Sequence, residues 1–284
     1  MNKISSRELD VTAVVCAWNT ARSIKKCLLS LHENNVREII LVDADSNDGT
    51  REIAKNLADK IYTDPRQGLA VARNIGLENA KCKYFLSVGA DNMLPSGTVR
   101  AMVDELEQGV YCGVGCTTIL EETNGYLSWA LDKYKKARYF PGERQVIGTP
   151  HMYKTDFLRK YRFNPKMSWS DDGDLCDRLM ADGFKLVIID KPAIEISQSN
   201  LNDIIKRWKM YGKSDWETFR KYKQIWSVKR KISSILYPLR KEFLEPLLKV
   251  GNIFDIIRIV PFLILITMTR YFGWLWFTFA KKHP

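Results

Sequence analysis

Three short apolar runs, each closed by a polar or acidic residue and each tied to a helix-like stretch, constrain this chain more than any other feature. Residues 11–17 lead to Asn19, residues 39–42 to Asp43, and residues 84–88 to Asp91. Ile24, Leu28 and Leu31 recur on one face of a helix after the first run. QGLAVARNIGLENA (67–80) reads as a helix before the third. Buried strands alternating with helices predict an α/β fold with a mostly parallel sheet and right-handed crossovers. Such sheets bind ligands at the carboxyl ends of their strands, so Asn19, Asp43 and Asp91 are expected on one edge. Ile53, Leu57 and Ile61 mark a further helix or its exit. A helix is expected over 97–108, a strand over 110–120 and irregular structure over 121–147. An acidic loop, a helix and a strand are expected over 168–189.

Charge divides the chain of 284 residues in two. Residues 1–200 hold 27 basic and 27 acidic residues; residues 201–284 hold 17 and 6, so the whole formal excess of +11 lies there. We read 1–200 as a catalytic domain and 201–284 as a basic, amphipathic and hydrophobic helical tail, with no internal repeat. A neutral body with a basic tail suggests an anionic surface partner. No recognisable nucleic-acid motif is present, so the partner is expected to be a lipid surface; the other reading is a solvated basic helix without a partner. The six cysteines have small or apolar neighbours and no zinc-like second pair, which suggests reduced buried thiols and a cytosolic compartment. The first ten residues lack an apolar secretory core.

Acidic residues form separate stations: Asp43, Asp45 and Asp48 in DADSNDGT; Asp91 in VGADNMLP; Asp171, Asp172 and Asp174 in SDDGDL, with Asp177 beyond. Asn-Asp-Gly is also an ordinary turn, and Asp48 an ordinary helix cap. Three carboxylates within four residues repel one another unless a cation, a substrate hydroxyl or solvent relieves them. The other reading of SDDGDL is a solvated helix N-terminus.

In order, VVCAWN, ILVDADSNDGT, GLAVARNIGL, VGADNMLP and DDGDLCDRLMADGFKL resemble the motifs of the inverting family 2 glycosyltransferases, which have the GT-A fold. The resemblance covers roughly residues 10–195. It implies a membrane-associated enzyme that moves a sugar from a nucleotide-diphosphate sugar, with UDP-sugars favoured, to a hydroxyl of a lipid-linked or envelope glycan. It implies a donor site of Ala17, Asn19, Asp43, Asp45, Arg73, Ala90 and Asp91. In it Asp43 holds the nucleobase, Arg73 lies near the nucleotide, and Asp91 reaches a metal or the diphosphate. Asp172 is implied as general base, with Asp171 beside it. The implied cofactor is Mn2+ or Mg2+.

Departures qualify this site. Gly89 stands where the family has the first carboxylate of D-x-D, Asp45 where it usually has glycine, and Gln198 near the slot of a histidine that can ligate the metal. A metal would then be weakly held, or replaced by Arg and Lys. His151 is a phosphate or acceptor contact or a structural hydrogen-bonder. Trp169 stacks on a sugar or packs in the core. Lys206 and Arg207 clamp a phosphate or are surface charge. Residues 219–248 place apolar residues on one face with Lys and Arg elsewhere, which suits a membrane interface or docking onto protein. Residues 259–280 are long enough to span a bilayer, but Arg270 near the middle favours a bent, interfacial or re-entrant segment at the cytoplasmic face of the membrane. Two rival classes remain. A nucleotidyltransferase would need a Gly-rich phosphate loop that the chain lacks. A scaffold that has lost activity is supported by Gly89 and opposed by the intact SDDGDL.

Overall fold

The apolar runs are continuous because their strands are covered on both faces. In the computed structural model, which describes residues 8–167, 170–196 and 200–280, the chain forms two units: Met1–Glu121 with Tyr139–Ile196, and Glu122–Arg138 with Ser197–Pro284. The first unit begins with β1 (Leu9–Ala17), α1 (Ile24–Glu33), β2 (Val36–Asp43), α2 (Thr50–Ala54) and β3 (Lys60–Thr63). It continues with α3 (Leu69–Asn79), β4 (Tyr84–Gly89), β5 (Asn92–Met93), α4 (Thr98–Glu107) and β6 (Gly113–Leu120). Helix α5 (Tyr126–Arg138) belongs to the second unit. The chain then returns to the first with β7 (Gly142–Glu143), β8 (His151–Lys154), α6 (Thr155–Tyr161), α7 (Asp171–Ala181) and β9 (Leu186–Glu195).

These strands make one sheet in the order β3-β2-β1-β4-β8-β6-β9-β5, with β7 also paired to β9. Strands β3, β2, β1 and β4 run parallel, as expected. Strand β8 is antiparallel to both β4 and β6, so the far half of the sheet is mixed. Side chains of β1 alternate between two cores. Val11, Ala13 and Val15 pack with α1 and α4; Val14 packs with α3, α6 and α7 on the other face. Burial on both faces is what removes the polar alternation from the sequence. A Cβ at Gly76 would overlap the Val14 side chain, so this glycine lets α3 lie directly on β1. An alanine there overpacks the core, at about 1–3 kcal/mol.

The second unit is a helical bundle: α5, α8 (Leu201–Tyr222), α9 (Val228–Ile235), a π-helical stretch (Leu239–Leu244), α10 (Glu245–Lys249) and α11 (Ile253–Ala280). Helices α8 and α11 cross at reciprocal glycines. A Cβ at Gly212 would strike the Arg270 carbonyl, and one at Gly273 the Lys209 carbonyl. Beside that crossing Arg270 is buried, donating to both oxygens of Asp215 at 2.6 and 2.8 Å and to Glu242. Glu242 also accepts from the Tyr134 hydroxyl and, at 2.9 Å, from Trp208 Nε1. Burial lifts Asp215 above its ordinary value. The same burial would raise Glu242, but Arg270 and Arg138 hold it below.

Several local expectations change. Ile61 lies in β3, because the helix after Gly49 stops at Ala54. Residues 126–138 are helical rather than irregular: their contacts lie with the second unit, and α5 buries polar residues such as Asp132 and Lys135 that blur its apolar stripe. Residues 219–248 are several pieces, broken at the Ser227 cap and near Pro238. Residues 259–280 lie within one 28-residue helix that passes through Pro261. No helix among the described residues is long and apolar enough to cross a membrane.

Arg270→Leu takes from Glu242 and Asp215 their directly bonded cation, leaving only the more remote Arg138, and losing one partner of a buried pair costs about 3–5 kcal/mol. Urea denaturation should show this loss; a change under about 1 kcal/mol would mean that the network contributes little to stability.

Candidate active site

Register brings the stations together. Ala17 pairs with Asp43 and Cys16 with Gly89, so the loops after β2 and β4 flank the end of β1. Here an open pocket of about 220 Å³ is lined by Cys16, Thr20, Leu69, Arg73, Ser87, Val88, Gly89, Ala90 and Asp91.

One ion pair joins α7 to this edge. Arg73, from α3, reaches Asp171 at the start of α7 at 2.7 Å, with the two side chains 5% and 1% exposed. It also donates to Ser87 at 3.2 Å and Thr149 at 2.8 Å. Burial works against the guanidinium's charge, but Asp171, Asp172 and Cys16 carry its pKa above the ordinary value. Arg73 therefore lines the pocket with its charge already committed. The crowding in SDDGDL is relieved in the same manner. Asp171 goes to Arg73, and Asp174 to Arg178 at 2.9 Å and Asn164. Asp172 is half-buried; its Oδ1 accepts the Gly173 N–H at 2.9 Å. Asp171, which the sequence grouped with Asp172 as catalytic, is enclosed instead, its Oδ1 without a partner.

The loop after β2 is held by its own side chains. Asp43 is closed to solvent; its two oxygens accept the Ser46 hydroxyl at 2.6 Å and the Ser46 N–H at 3.1 Å. Asp48 accepts from Ala21 N–H at 2.9 Å and from Thr50, tying the 43–50 loop to the entry of α1. Asn19 is exposed and accepts the Asn47 N–H at 3.0 Å. Asp45 has φ 54, the left-handed region that explains why glycine is usual there, and which aspartate tolerates. Its carboxylate, 83% exposed, faces solvent and Arg66 at 3.5 Å.

Gly89 and Asp91 form a single unit. A Cβ at Gly89 would lie 2.7 Å from Asp91 Oδ1 and 2.9 Å from Asn92 Oδ1. The Asp91 carboxylate thus folds over the bare glycine, into room that a side chain at 89 would claim. No hydrogen bond or ion pair joins that carboxylate to another described residue. Among the described residues no group of three His, Cys, Asp or Glu is placed to hold a metal. One free carboxylate fits a divalent ion only when phosphate oxygens and water complete its shell, which suits Mg2+ and Mn2+.

His151 lies on β8, fully buried, donating Nδ1–H to the Gly148 carbonyl at 2.6 Å and leaving Nε2 without a partner among the described residues. Burial, with Arg73 nearby, pushes its pKa down to about 3, so it is a neutral core residue. Lys206 is exposed and Arg207 partly buried, both on α8 of the second unit. Trp169 and Gln198 lie outside the described residues. Sequence reasoning missed Ser87 and Thr149, which hold Arg73. Ser87 had a signal, as the one polar side chain within the run 84–88.

An acidic helix start locked to the carboxyl edge of a parallel half-sheet is the layout of a GT-A glycosyltransferase. Comparison with known proteins agrees. The Glycosyl transferase family 2 model matches residues 12–165, more than half of the chain, and the chain belongs to that family. It is similar to the uncharacterised glycosyltransferase MJ1057 of Methanocaldococcus jannaschii, 24% identical over 236 residues that take in 73% of this chain and 79% of that protein. An uncharacterised glycosyltransferase of Haemophilus influenzae is 32% identical over 93 residues, 31% of this chain and 36% of its own. Among solved structures, a mannosyltransferase from Pyrobaculum calidifontis in complex with GDP-Man and Mn2+ superposes with a TM-score of 0.65, at 17% identity, over 95% of this chain and 88% of its own. At that identity the likeness shows the fold.

The buried His151 makes stability depend on pH. The unfolded chain takes up a proton near the ordinary pKa of 6.5, which the folded chain refuses until about 3. Stability should therefore fall as pH drops from 6.5 toward 3. A His151→Gln variant should lose less stability between pH 7 and pH 5 than the parent in thermal melts; equal losses would remove His151 as a source of acid sensitivity.

Proposed function

We propose that this glycosyltransferase moves a sugar, with inversion, from a nucleotide-diphosphate sugar to a hydroxyl of a lipid-linked or envelope glycan, with Asp172 as general base. The observation that carries the reading is the Arg73–Asp171 pair, which ties Asp172 to the pocket holding Asp91.

The 43–50 loop, anchored by Asp43 and Asp48, receives the nucleoside at the end of β1, where Ala17 and Asn19 lie. The diphosphate occupies the pocket beside Thr20, whose buried hydroxyl has no partner among the described residues, and beside Ala90. The cation in the lining, Arg73, is already paired with Asp171, so the lining residues alone do not offset a diphosphate. A divalent ion would be held by Asp91 together with donor phosphates. When bound, it supplies Lewis-acid stabilisation of the leaving diphosphate. The Mn2+ of the archaeal mannosyltransferase structure accords with this.

Among the described residues, Asp172 is the one carboxylate of SDDGDL that makes no ion pair with a charged side chain. Its Oδ1 is occupied by the Gly173 N–H, so Oδ2 takes the acceptor proton while the hydroxyl oxygen attacks the anomeric carbon. The proton leaves the hydroxyl for the carboxylate, and the glycosidic bond electrons leave with the nucleoside diphosphate. One displacement inverts the anomeric centre. Asp171 acts as a positioning residue through Arg73.

Uridine is the base implied by the family resemblance, whereas the archaeal neighbour carries GDP-Man. A panel of nucleotide sugars, assayed for donor hydrolysis with and without Mn2+, decides between them. Asp172→Asn should lower kcat by about 10²–10⁴-fold with little change in donor affinity; loss of donor binding would make Asp172 structural. Asp91→Asn should require much more Mn2+ for transfer, and an Asp91→Asn enzyme fully active in chelator would take both Asp91 and the metal out of the reaction.

A further inference from the structure

We propose that the second unit carries a built docking face for an anionic phospholipid bilayer, formed by the outer side of α11 and by α9. Apart from Asp255, Arg258 and Arg270, helix α11 is apolar all round, a pattern that normally requires burial on all sides. Its inner side meets that requirement: Ile259, Phe262, Leu263, Ile266 and Gly273 are buried in the bundle around Arg270. Its outer side does not. Ile257, Ile264, Met268, Phe272, Leu275 and Trp276 are exposed, Ile257 by 66% and Met268 by 62%. Their spacing of three, four or seven residues keeps them in one stripe, about 29 Å long at 1.5 Å per residue. No charged side chain lies on the stripe between Ile257 and Trp276, except Arg258 beside its start.

A second apolar surface adjoins the first. On α9 Val228, Ile232 and Ile235 are exposed, followed by Leu236. The Tyr271 hydroxyl of α11 donates to the Ile235 carbonyl at 2.9 Å, which places the end of α9 against the middle of α11. An exposed apolar surface of this extent marks an interaction site.

Charge chooses the occupant. The residues from 201 onward carry a net +11, which opposes docking of a second copy through this face and favours an anionic surface. The basic groups border the apolar ones: Lys209 lies 4.6 Å from the Trp276 ring and 5.4 Å from Phe272, and Arg230 lies 4.9 Å from the Trp226 ring. Trp beside Lys and Arg above an apolar surface is the chemistry of a helix lying in the headgroup plane. Arg270 takes no part, because Asp215 and Glu242 neutralise it inside the bundle. The face is therefore in-plane rather than spanning.

The test does not read sugar transfer, so it stands or falls apart from the proposed reaction. The full chain is sedimented with vesicles of neutral phosphatidylcholine, and with vesicles containing about 30% phosphatidylglycerol, at low and high salt. Binding should be at least tenfold stronger to the anionic vesicles and should weaken with salt. The exposed double substitution Met268→Glu with Phe272→Glu should reduce it at least tenfold. If that protein fails to fold by circular dichroism, the exposed pair Lys229→Glu and Arg230→Glu on α9 replaces it, with loss of the anionic preference expected. Equal binding to both vesicle types, or full binding by the variants, would overturn the proposal. So would a stable dimer in light scattering that the Met268→Glu, Phe272→Glu variant splits, since the face would then belong to a second copy.

Discussion

The Arg73–Asp171 ion pair is the contact on which the site depends. Its members are 98 positions apart and both are almost fully buried. Neither charge is tolerable alone in such surroundings, and removing one partner of a buried pair costs several kcal/mol. The pair therefore specifies geometry. It fixes the start of α7 against the end of β4, and by doing so commits one carboxylate of SDDGDL and leaves its neighbour available. Ser170, with φ 54, turns the chain at that point so that consecutive aspartates meet different surroundings.

Backbone demands account for two of the departures from the family pattern. At Asp45 the chain needs a left-handed residue, and aspartate meets that need nearly as well as glycine while its carboxylate stays in solvent. At Gly89 the missing side chain leaves room that Asp91 and Asn92 fill. The result is a pocket with one carboxylate residue, Asp91, in its lining.

The second unit repeats the logic of a buried charge in a different setting. Arg270 interrupts an otherwise apolar helix, and two carboxylates from other elements surround it. The reciprocal glycines at 212 and 273 bring α8 and α11 close enough for Asp215 to reach it. Tyr134 of α5 completes the cluster from a segment before the return to β8. That contact explains why residues 122–138 leave the sheet-bearing unit, and why the boundary drawn at 200 describes only part of the division.

The chain alone determined the periodic features. The runs at 11–17, 39–42 and 84–88 are strands because two-sided burial produces such nearly continuous apolar stretches. Asn19, Asp43 and Asp91 after them share an edge because parallel strands end together. Membership of family 2 was legible in five ordered motifs. Tertiary structure decided what depends on distant partners. It buried Asp171 against Arg73 and made His151 a neutral core residue. It placed α5 with the tail, and it turned Arg270 from an obstacle to insertion into the centre of a bundle. Each of these outcomes depends on desolvation, and desolvation is a property of what surrounds a group in space. A sequence records only which groups are available to be surrounded.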